Sequence, residues 1–438
     1  MDFHFRAFCI SQYIEKKQNL FRMPFVKCLK VLKNFIRAFF MRYARQATTV
    51  LAAKSPIQRN EVIRNMCAAQ EDEKFMRRAL ELAKKGEGWV SPNPMVGAVI
   101  VKDGRIIGEG WHEKYGQLHA ERNALAHCSQ PPEDGVMYVT LEPCCHYGKQ
   151  PPCTEAILEA GIRKVVVGAG DPNPLVAGKG LEILRQHGIE VQEHVLEEEC
   201  REINQVFFHY IRTGTPYVVM KYAMTMDGKI AAYTGASKWI TGEAARAHVQ
   251  SLRHKYRGIM AGVGTVLADD PLLTCRMEGG RNPVRIICDT HLSTPLDSRI
   301  LETAKEADTI LAIGEKVERE RQIPYEEKGC TLLEIPEKEG KIDLSVLMKE
   351  LGKRQIDSLL LEGGGELNWS AVQAGIVKKV MAYIAPKIIG GRDAKGPVGG
   401  QGYPDPQECL FLKPGKISRL GDDYLIESEV DEDVHRNC

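Results

Sequence analysis

Residues 136–170 read VMYVTLEPCCHYGKQPPCTEAILEAGIRKVVVGAG. Val136 to Leu141 is an apolar run of strand length. Cys153 to Ala160 has helical character and stops at Gly161, and Lys164 to Gly168 is a second buried strand. The same texture extends to both sides. Upstream, Phe75 to Lys85 reads as a helix with Met76, Ala79, Leu80 and Ala83 on one face. Ala98 to Lys102 is a strand closed by the turn Asp103-Gly104, with Arg105 to Gly110 as its hairpin partner. His119 to Cys128 reads as a helix. Downstream follow a helix at Leu181 to His187, a short strand at Glu190 to His194 and a single amphipathic helix from Glu197 to Ile211. Alternating helices and strands predict an α/β fold, a layered sheet with helical cover. A boundary is expected at Thr213-Gly214-Thr215-Pro216. Beyond it, strands are expected at Tyr217–Met220, Ile259–Val263, Val284–Asp289, Thr309–Ala312, Ser358–Leu361 and Lys379–Ile384, with helices at Glu243–Arg253 and Glu366–Ala374.

Composition excludes several classes. Of 438 residues, 43% are hydrophobic and 27% charged, which is ordinary globular usage rather than disorder or a rod. Lys+Arg 59 against Asp+Glu 58 leaves a net charge of +1, so charge gives no case for a nucleic-acid partner. No run of about 18 apolar residues predicts a membrane span. The 13 cysteines are odd in number and irregularly spaced, so reduced thiols and a cytoplasmic location are expected. Residues 1–59 hold twelve Lys/Arg and only Asp2 and Glu15 as acids. Within them Phe25, Leu29, Leu32, Ile36 and Phe39 fall at helical spacing among basic residues. Three readings stand: an extension over residues 1–66 with no fold of its own, an organelle transit peptide, or a membrane-surface helix.

Three pieces carry chemistry: His119-Ala120-Glu121, Pro143-Cys144 and Cys153. One imidazole and two thiolates leave a fourth tetrahedral position open, the ligand count of a catalytic rather than a structural zinc. Glu121, two residues from His119 at a helix start, can move a proton without ligating the metal. A helix opening at Cys153 favours a thiolate. The order H-x-E, P-C, C is the pattern of zinc nucleobase deaminases, here with eight residues between Cys144 and Cys153. Cys145 is left out because neighbouring residues rarely face one metal, and His146 is expected to line the pocket.

These pieces, with Ser91-Pro92-Asn93-Pro94-Met95-Val96-Gly97 before them, resemble the deaminase half of the bifunctional riboflavin-biosynthesis deaminase–reductase family, whose own spacing includes the eight-residue insertion. Lys221-Tyr222-Ala223-Met224-Thr225-Met226-Asp227-Gly228-Lys229, Ser237-Lys238-Trp239-Ile240-Thr241-Gly242, Val263-Gly264-Thr265-Val266 and Asp269-Asp270-Pro271-Leu272-Leu273-Thr274 continue the match. It covers roughly residues 70 to 430. The resemblance implies a cytidine-deaminase-like α/β/α domain at 67–212, followed by a dihydrofolate-reductase-like α/β domain at 213–438. It implies zinc-dependent deamination of a pyrimidine ribosyl phosphate, then reduction of the ribosyl group by NADPH. It gives Zn²⁺ to His119, Cys144 and Cys153, and the proton shuttle to Glu121. It also implies a homo-oligomer. The family usually reads Gly-Arg-Thr-Pro-Pro-Cys where this chain has Gly148-Lys149-Gln150-Pro151-Pro152-Cys153, so Lys149 keeps the charge and loses a bidentate fork.

The second half lacks a G-x-G-x-x-G turn. It has Leu359-Leu360-Leu361-Glu362-Gly363-Gly364-Gly365 running into a helix, a place for a pyrophosphate at a positive helix end. Lys221, mid-strand, is costly to bury unpaired and is expected to face the cleft, orienting or protonating the ribose. Asp227-Gly228 reads as a turn. The resemblance places Ala223, Trp239, Thr265, Asp269 and the run Gly364, Gly365, Glu366, Leu367, Asn368, Trp369, Ser370 at NADPH. It places Ser237, Arg253, Leu273, Arg276 and Glu362 at the substrate, with Arg253 and Arg276 as phosphate partners. Trp239 either stacks on the cofactor or belongs to the core. Two other readings remain: a nucleic-acid deaminase with an accessory domain, and a zinc scaffold without catalysis. The first would need a basic groove, and the second has no use for Glu121.

Overall fold

The computed structural model describes residues 56–432, and side chains from residue 68. The described residues fall into two units that part between Glu71 and Asp72. The basic helix expected over 25–39 lies outside the described residues. The first described element, α1, runs Pro56–Ala83. It begins well before Phe75, where the sequence reading starts it. Proline is tolerated in a helix's first turn, and neither proline nor glycine interrupts the chain from there to Ala83.

Two sheets follow. The first joins β1 (Gly97–Lys102), β2 (Arg105–Trp111), β3 (Val136–Leu141), β4 (Lys164–Ala169) and β5 (Glu190–Gln192) in the order β2-β1-β3-β4-β5. The β1–β2 hairpin turns at Asp103 and Gly104, both left-handed with φ of 51° and 71°, which Asp-Gly accepts readily. β3, β4 and β5 run parallel, and their connections are the helices α2 (Ala120–Ala126, before β3), α3 (Cys153–Glu159) and α4 (Lys179–Gln186). A Cβ at Gly110 would stand 2.3 Å from Ala124 N. The missing side chain therefore lets α2 press directly onto β2, which sets where His119 and Glu121 sit.

The expected helix over Glu197–Ile211 is two: α5 (Glu197–Ile203) and α6 (Gln205–Thr213). The break is Asn204, 2% exposed, whose amide clamps Met95 by accepting from its N–H (2.8 Å) and donating to its C=O (2.9 Å). A side chain that satisfies a distant loop outweighs continuation of one helix.

The second sheet has nine strands. Seven are parallel, in the order β10 (Thr331–Ile335), β9 (Thr309–Gly314), β8 (Val284–Cys288), β7 (Gly258–Gly262), β13 (Ser358–Leu361), β6 (Tyr217–Thr225) and β14 (Val377–Ala385). β16 (Asp423–Glu429) and β15 (Lys416–Leu420) close that edge antiparallel. A small hairpin, β11 (Glu337–Lys338) with β12 (Lys341–Ile342), stands apart. Its helices are α7 (Glu243–Lys255), α8 (Val263–Asp269), α9 (Arg299–Glu302), α10 (Arg319–Glu327), α11 (Leu344–Lys353) and α12 (Gly365–Gln373). Alternate residues of β6 enter different cores: Val218 and Met220 on one face, Tyr217 and Val219 on the other. That is the period of two expected of a strand covered on both faces. Because the central strands are parallel, their carboxyl ends share one edge, the usual place for a ligand crevice in an open α/β sheet.

Candidate functional site

In the first sheet, His119 is the residue that precedes α2, Cys144 follows β3, and Cys153 opens α3. The loop-out of the eight intervening residues brings both cysteines to the same imidazole. His119 Nδ1 lies 3.4 Å from the sulfur of Cys144 and 3.4 Å from that of Cys153. The three donor atoms all lie within 4.8 Å of one another, one nitrogen and two sulfurs around one point. The backbone N–H of Cys153 donates to Cys144 Sγ at 3.4 Å. The thiol of Cys153 and the His119 imidazole draw Cys144 down to about 4, while the same hydrogen bond and burial push Cys153 up. His119 is raised in turn, chiefly by the Cys144 sulfur. A soft, anionic, converging donor set of this kind suits zinc.

Glu121 is 3% exposed, and burial, then the Cys144 thiolate, pushes it up to about 7. His112 was not singled out by sequence. It is 2% exposed, its ring is 5.4 Å from that of His119, and its Nε2 lies 3.2 Å from Asn93 Nδ2. A lone histidine at a strand end carries no signal until the hairpin folds beside α2. Lys149 sits over the Tyr115 ring at 3.9 Å, and Gln150 donates to Gly116 O at 3.2 Å. The insertion therefore folds back on the loop after β2. Cys145 points away, to Leu175 O. No disulfide joins the described cysteines.

In the second sheet, Lys221 of β6 and Glu362, just past β13, meet across neighbouring strands. Lys221 Nζ lies 3.5 Å from Glu362, and Arg253 of α7 grips the same carboxylate at 2.8 and 3.1 Å. The three side chains are 11–13% exposed. Burial alone would raise Glu362, but Arg253 and then Lys221 outweigh it and hold the carboxyl at about 2. Arg253 also donates to Thr274 O at 3.0 Å, so the guanidinium expected to meet a substrate phosphate is committed to Glu362 and the backbone. A buried carboxylate needs that counter-charge. Tyr383, also missed in sequence, underlies Lys221: its ring is 5.6 Å from Nζ, and its hydroxyl bonds His248 at 2.7 Å.

Other expected residues divide. Ser237 and Asp269 are brought together, with 3.5 Å between hydroxyl and carboxylate. Thr265 Oγ1 lies 3.7 Å from where a Cβ on Gly364 would be, so the first turn of α8 and the turn after β13 adjoin. Ala223 is half-buried on β6. Trp239 is 64% exposed beneath Arg246 rather than in the core. Leu273 is buried in one apolar cluster with Ile259 and Val266. Arg276 is exposed, and its backbone N–H donates to Gln250. Along the glycine turn, Glu366 is exposed, Leu367 is half-buried and Ser370 bonds back to Glu366 O. Asn368 is 0% exposed, with Oδ1 left without a partner, and Trp369 lies in the core.

Comparison with known proteins follows this geometry. The model of the cytidine and deoxycytidylate deaminase zinc-binding region matches residues 69–169, and that of the RibD C-terminal domain matches 216–426. The riboflavin biosynthesis protein RibD of Actinobacillus pleuropneumoniae is 51% identical over 364 residues, 83% of this chain and 96% of that relative. The chain belongs to the RibD family. The RibD protein of Escherichia coli K12 is 42% identical over 369 residues, covering 81% of this chain and 98% of its own. Among solved structures, Acinetobacter baumannii RibD is 37% identical with a TM-score of 0.75, covering 83% of this chain and all (100%) of its own. A Thermotoga maritima structure described as a diaminohydroxyphosphoribosylaminopyrimidine deaminase/5-amino-6-(5-phosphoribosylamino)uracil reductase is 39% identical with a TM-score of 0.74. As a RibD-family protein, the chain combines a cytidine-deaminase-like zinc domain with a RibD reductase domain. Among the described residues no helix is long and apolar enough to cross a membrane.

Proposed function

We propose that this chain carries out two consecutive steps of riboflavin biosynthesis. The first is hydrolysis of the 2-amino group of 2,5-diamino-6-ribosylamino-4(3H)-pyrimidinone 5′-phosphate. The second is NADPH-dependent reduction of the ribosyl group to ribityl. The observation that carries the reading is the convergence of His119 Nδ1 with two cysteine sulfurs beside a buried Glu121. Zinc held by these residues supplies Lewis acidity that makes a hydrolytic nucleophile available near neutral pH. Buried Glu121 takes a proton from the attacking water and returns it to the leaving amine. His112 and Asn93 line the same site and suit recognition of a polar ring.

In the reductase half, Thr265 and the glycine turn would hold NADPH, whose nicotinamide would be the hydride source for the sugar carbon. Lys221 is held in place by Glu362 and carries the proton for the sugar oxygen. Arg253 fixes Glu362, and exposed Arg276 is free to reach the phosphate. The reading divides the chain into 67–212 for deamination and 213–438 for reduction, with residues 1–66 outside both. It includes a cytoplasmic setting and a homo-oligomer.

The test is anaerobic incubation of the purified full chain with the diaminopyrimidine phosphate and NADPH. Ammonia release and loss of nicotinamide absorbance are expected in equal amounts, ammonia first. Ammonia without NADPH oxidation would leave only the first step standing, and neither would overturn the reading.

A further inference from the structure

The segment after β14, residues 386–402, reads PKIIGGRDAKGPVGGQG. So many glycines leave few side chains to fix its path. Hydrogen bonds do so instead, at both ends. At the first, the Asp227 carboxylate, in the turn after β6, accepts from the N–H groups of Ile389 (3.2 Å) and Gly390 (2.7 Å) and from Thr225 Oγ1. At the second, Asn368 donates to Pro397 O at 2.7 Å, Gly399 N–H donates to Gly365 O at 2.9 Å and Gly400 N–H donates to Glu366 at 3.1 Å. Between them, Ile230 N–H donates to Lys395 O at 2.9 Å. Lys387 reaches sideways, donating to the carbonyls of Trp239 (3.0 Å) and Ile240 (2.8 Å). The segment thus ties the Trp239 loop to the glycine turn that opens α12.

We propose that Asp227 is a positioning residue for the reductase cofactor: its carboxylate anchors residues 386–402 as a strap between the Trp239 loop and the glycine turn, and NADPH affinity depends on that anchor. This rests on the reading that NADPH binds at those stretches. Asp227 is exposed and touches no expected site residue, so a simple Asp-Gly turn is the competing account. Turn geometry alone does not require a carboxylate to reach 162 or more positions along the chain and cap two backbone donors. Gly390 and Gly391, left-handed at φ of 69° and 87°, turn the chain so that those donors face one point. The strap also carries Lys387, Arg392 and Lys395 against Asp393, a positive balance suited to dinucleotide phosphates.

The test compares full-length wild type with Asp227→Ala and Asp227→Asn. Nicotinamide fluorescence gives the Kd for NADPH, steady-state kinetics give KM for each substrate, and limited proteolysis maps cleavage within 386–402 with and without NADPH. Circular dichroism and thermal unfolding of the full chain check that each protein is folded. Loss of the charged acceptor should weaken NADPH binding about tenfold in Asp227→Ala, with Asp227→Asn, which keeps one acceptor oxygen, in between. KM for NADPH should rise more than KM for the pyrimidine, and the strap should be cut faster unless NADPH is present. An Asp227→Ala protein with the wild-type Kd and cleavage pattern overturns the inference alone. A wild type that does not bind NADPH overturns the reading beneath it.

Discussion

Glu121→Gln should release ammonia some 10²–10⁴-fold more slowly than wild type while still binding zinc, the usual range for loss of a positioned acid–base group. The substitution keeps the shape of a side chain that is 3% exposed and removes only its capacity to exchange a proton. His119, Cys144 and Cys153 are untouched, so metal content should stay at the wild-type level. Ammonia production, zinc content and reduction of pre-deaminated substrate would be measured on the same preparation. A folded, zinc-loaded Glu121→Gln protein that deaminates at the wild-type rate would remove Glu121 from the mechanism.

The second large effect is expected at Glu362. Glu362→Gln leaves Lys221 and Arg253 facing each other without their shared counter-charge, in a place where all three are 11–13% exposed. Breaking such a buried pair by removing one partner costs about 3–5 kcal/mol, read as a lower denaturant midpoint near neutral pH. The pH dependence has a definite sign. The carboxyl is held at about 2, below its ordinary 4.5, so its stabilisation is present above about 4.5 and is lost as pH falls toward 2. Wild type should lose stability across that window, and the variant's stability should be flatter there. NADPH-dependent reduction should fall about a hundredfold, because Lys221 loses the group that holds its ammonium in register. A variant with wild-type stability and reductase rate would show that Glu362 fixes neither.

The reach of the sequence differed with the physics. β1, β3, β4 and β13 were legible because a buried strand is a short apolar run, and the metal residues because few motifs share their order and chemistry. The break at Asn204 was not legible, since the reason lies at Met95, 109 positions away. β15 and β16 were missed because KISRL and DYLIESE lie at a half-solvated edge, where Ile417 is 68% exposed and the pattern is mixed. Lys221 stood out in the sequence as too costly to bury alone, and the partner it meets in the fold, Glu362 beside Arg253, comes from distant elements that no local pattern links to it. Arg253, read as a phosphate partner, meets the Glu362 carboxylate in the fold, a pairing 109 positions apart that no local pattern signals. Leu273 and Trp369, also expected at the site, have their side chains buried in the apolar cores.

The most direct measurement is zinc stoichiometry with X-ray absorption at the zinc edge on the purified chain. One zinc per chain is expected, with two sulfur neighbours near about 2.3 Å and a nitrogen near about 2.0 Å, and loss of the metal on His119→Ala. A folded, metal-free chain, or a zinc bound without sulfur, would contradict the account.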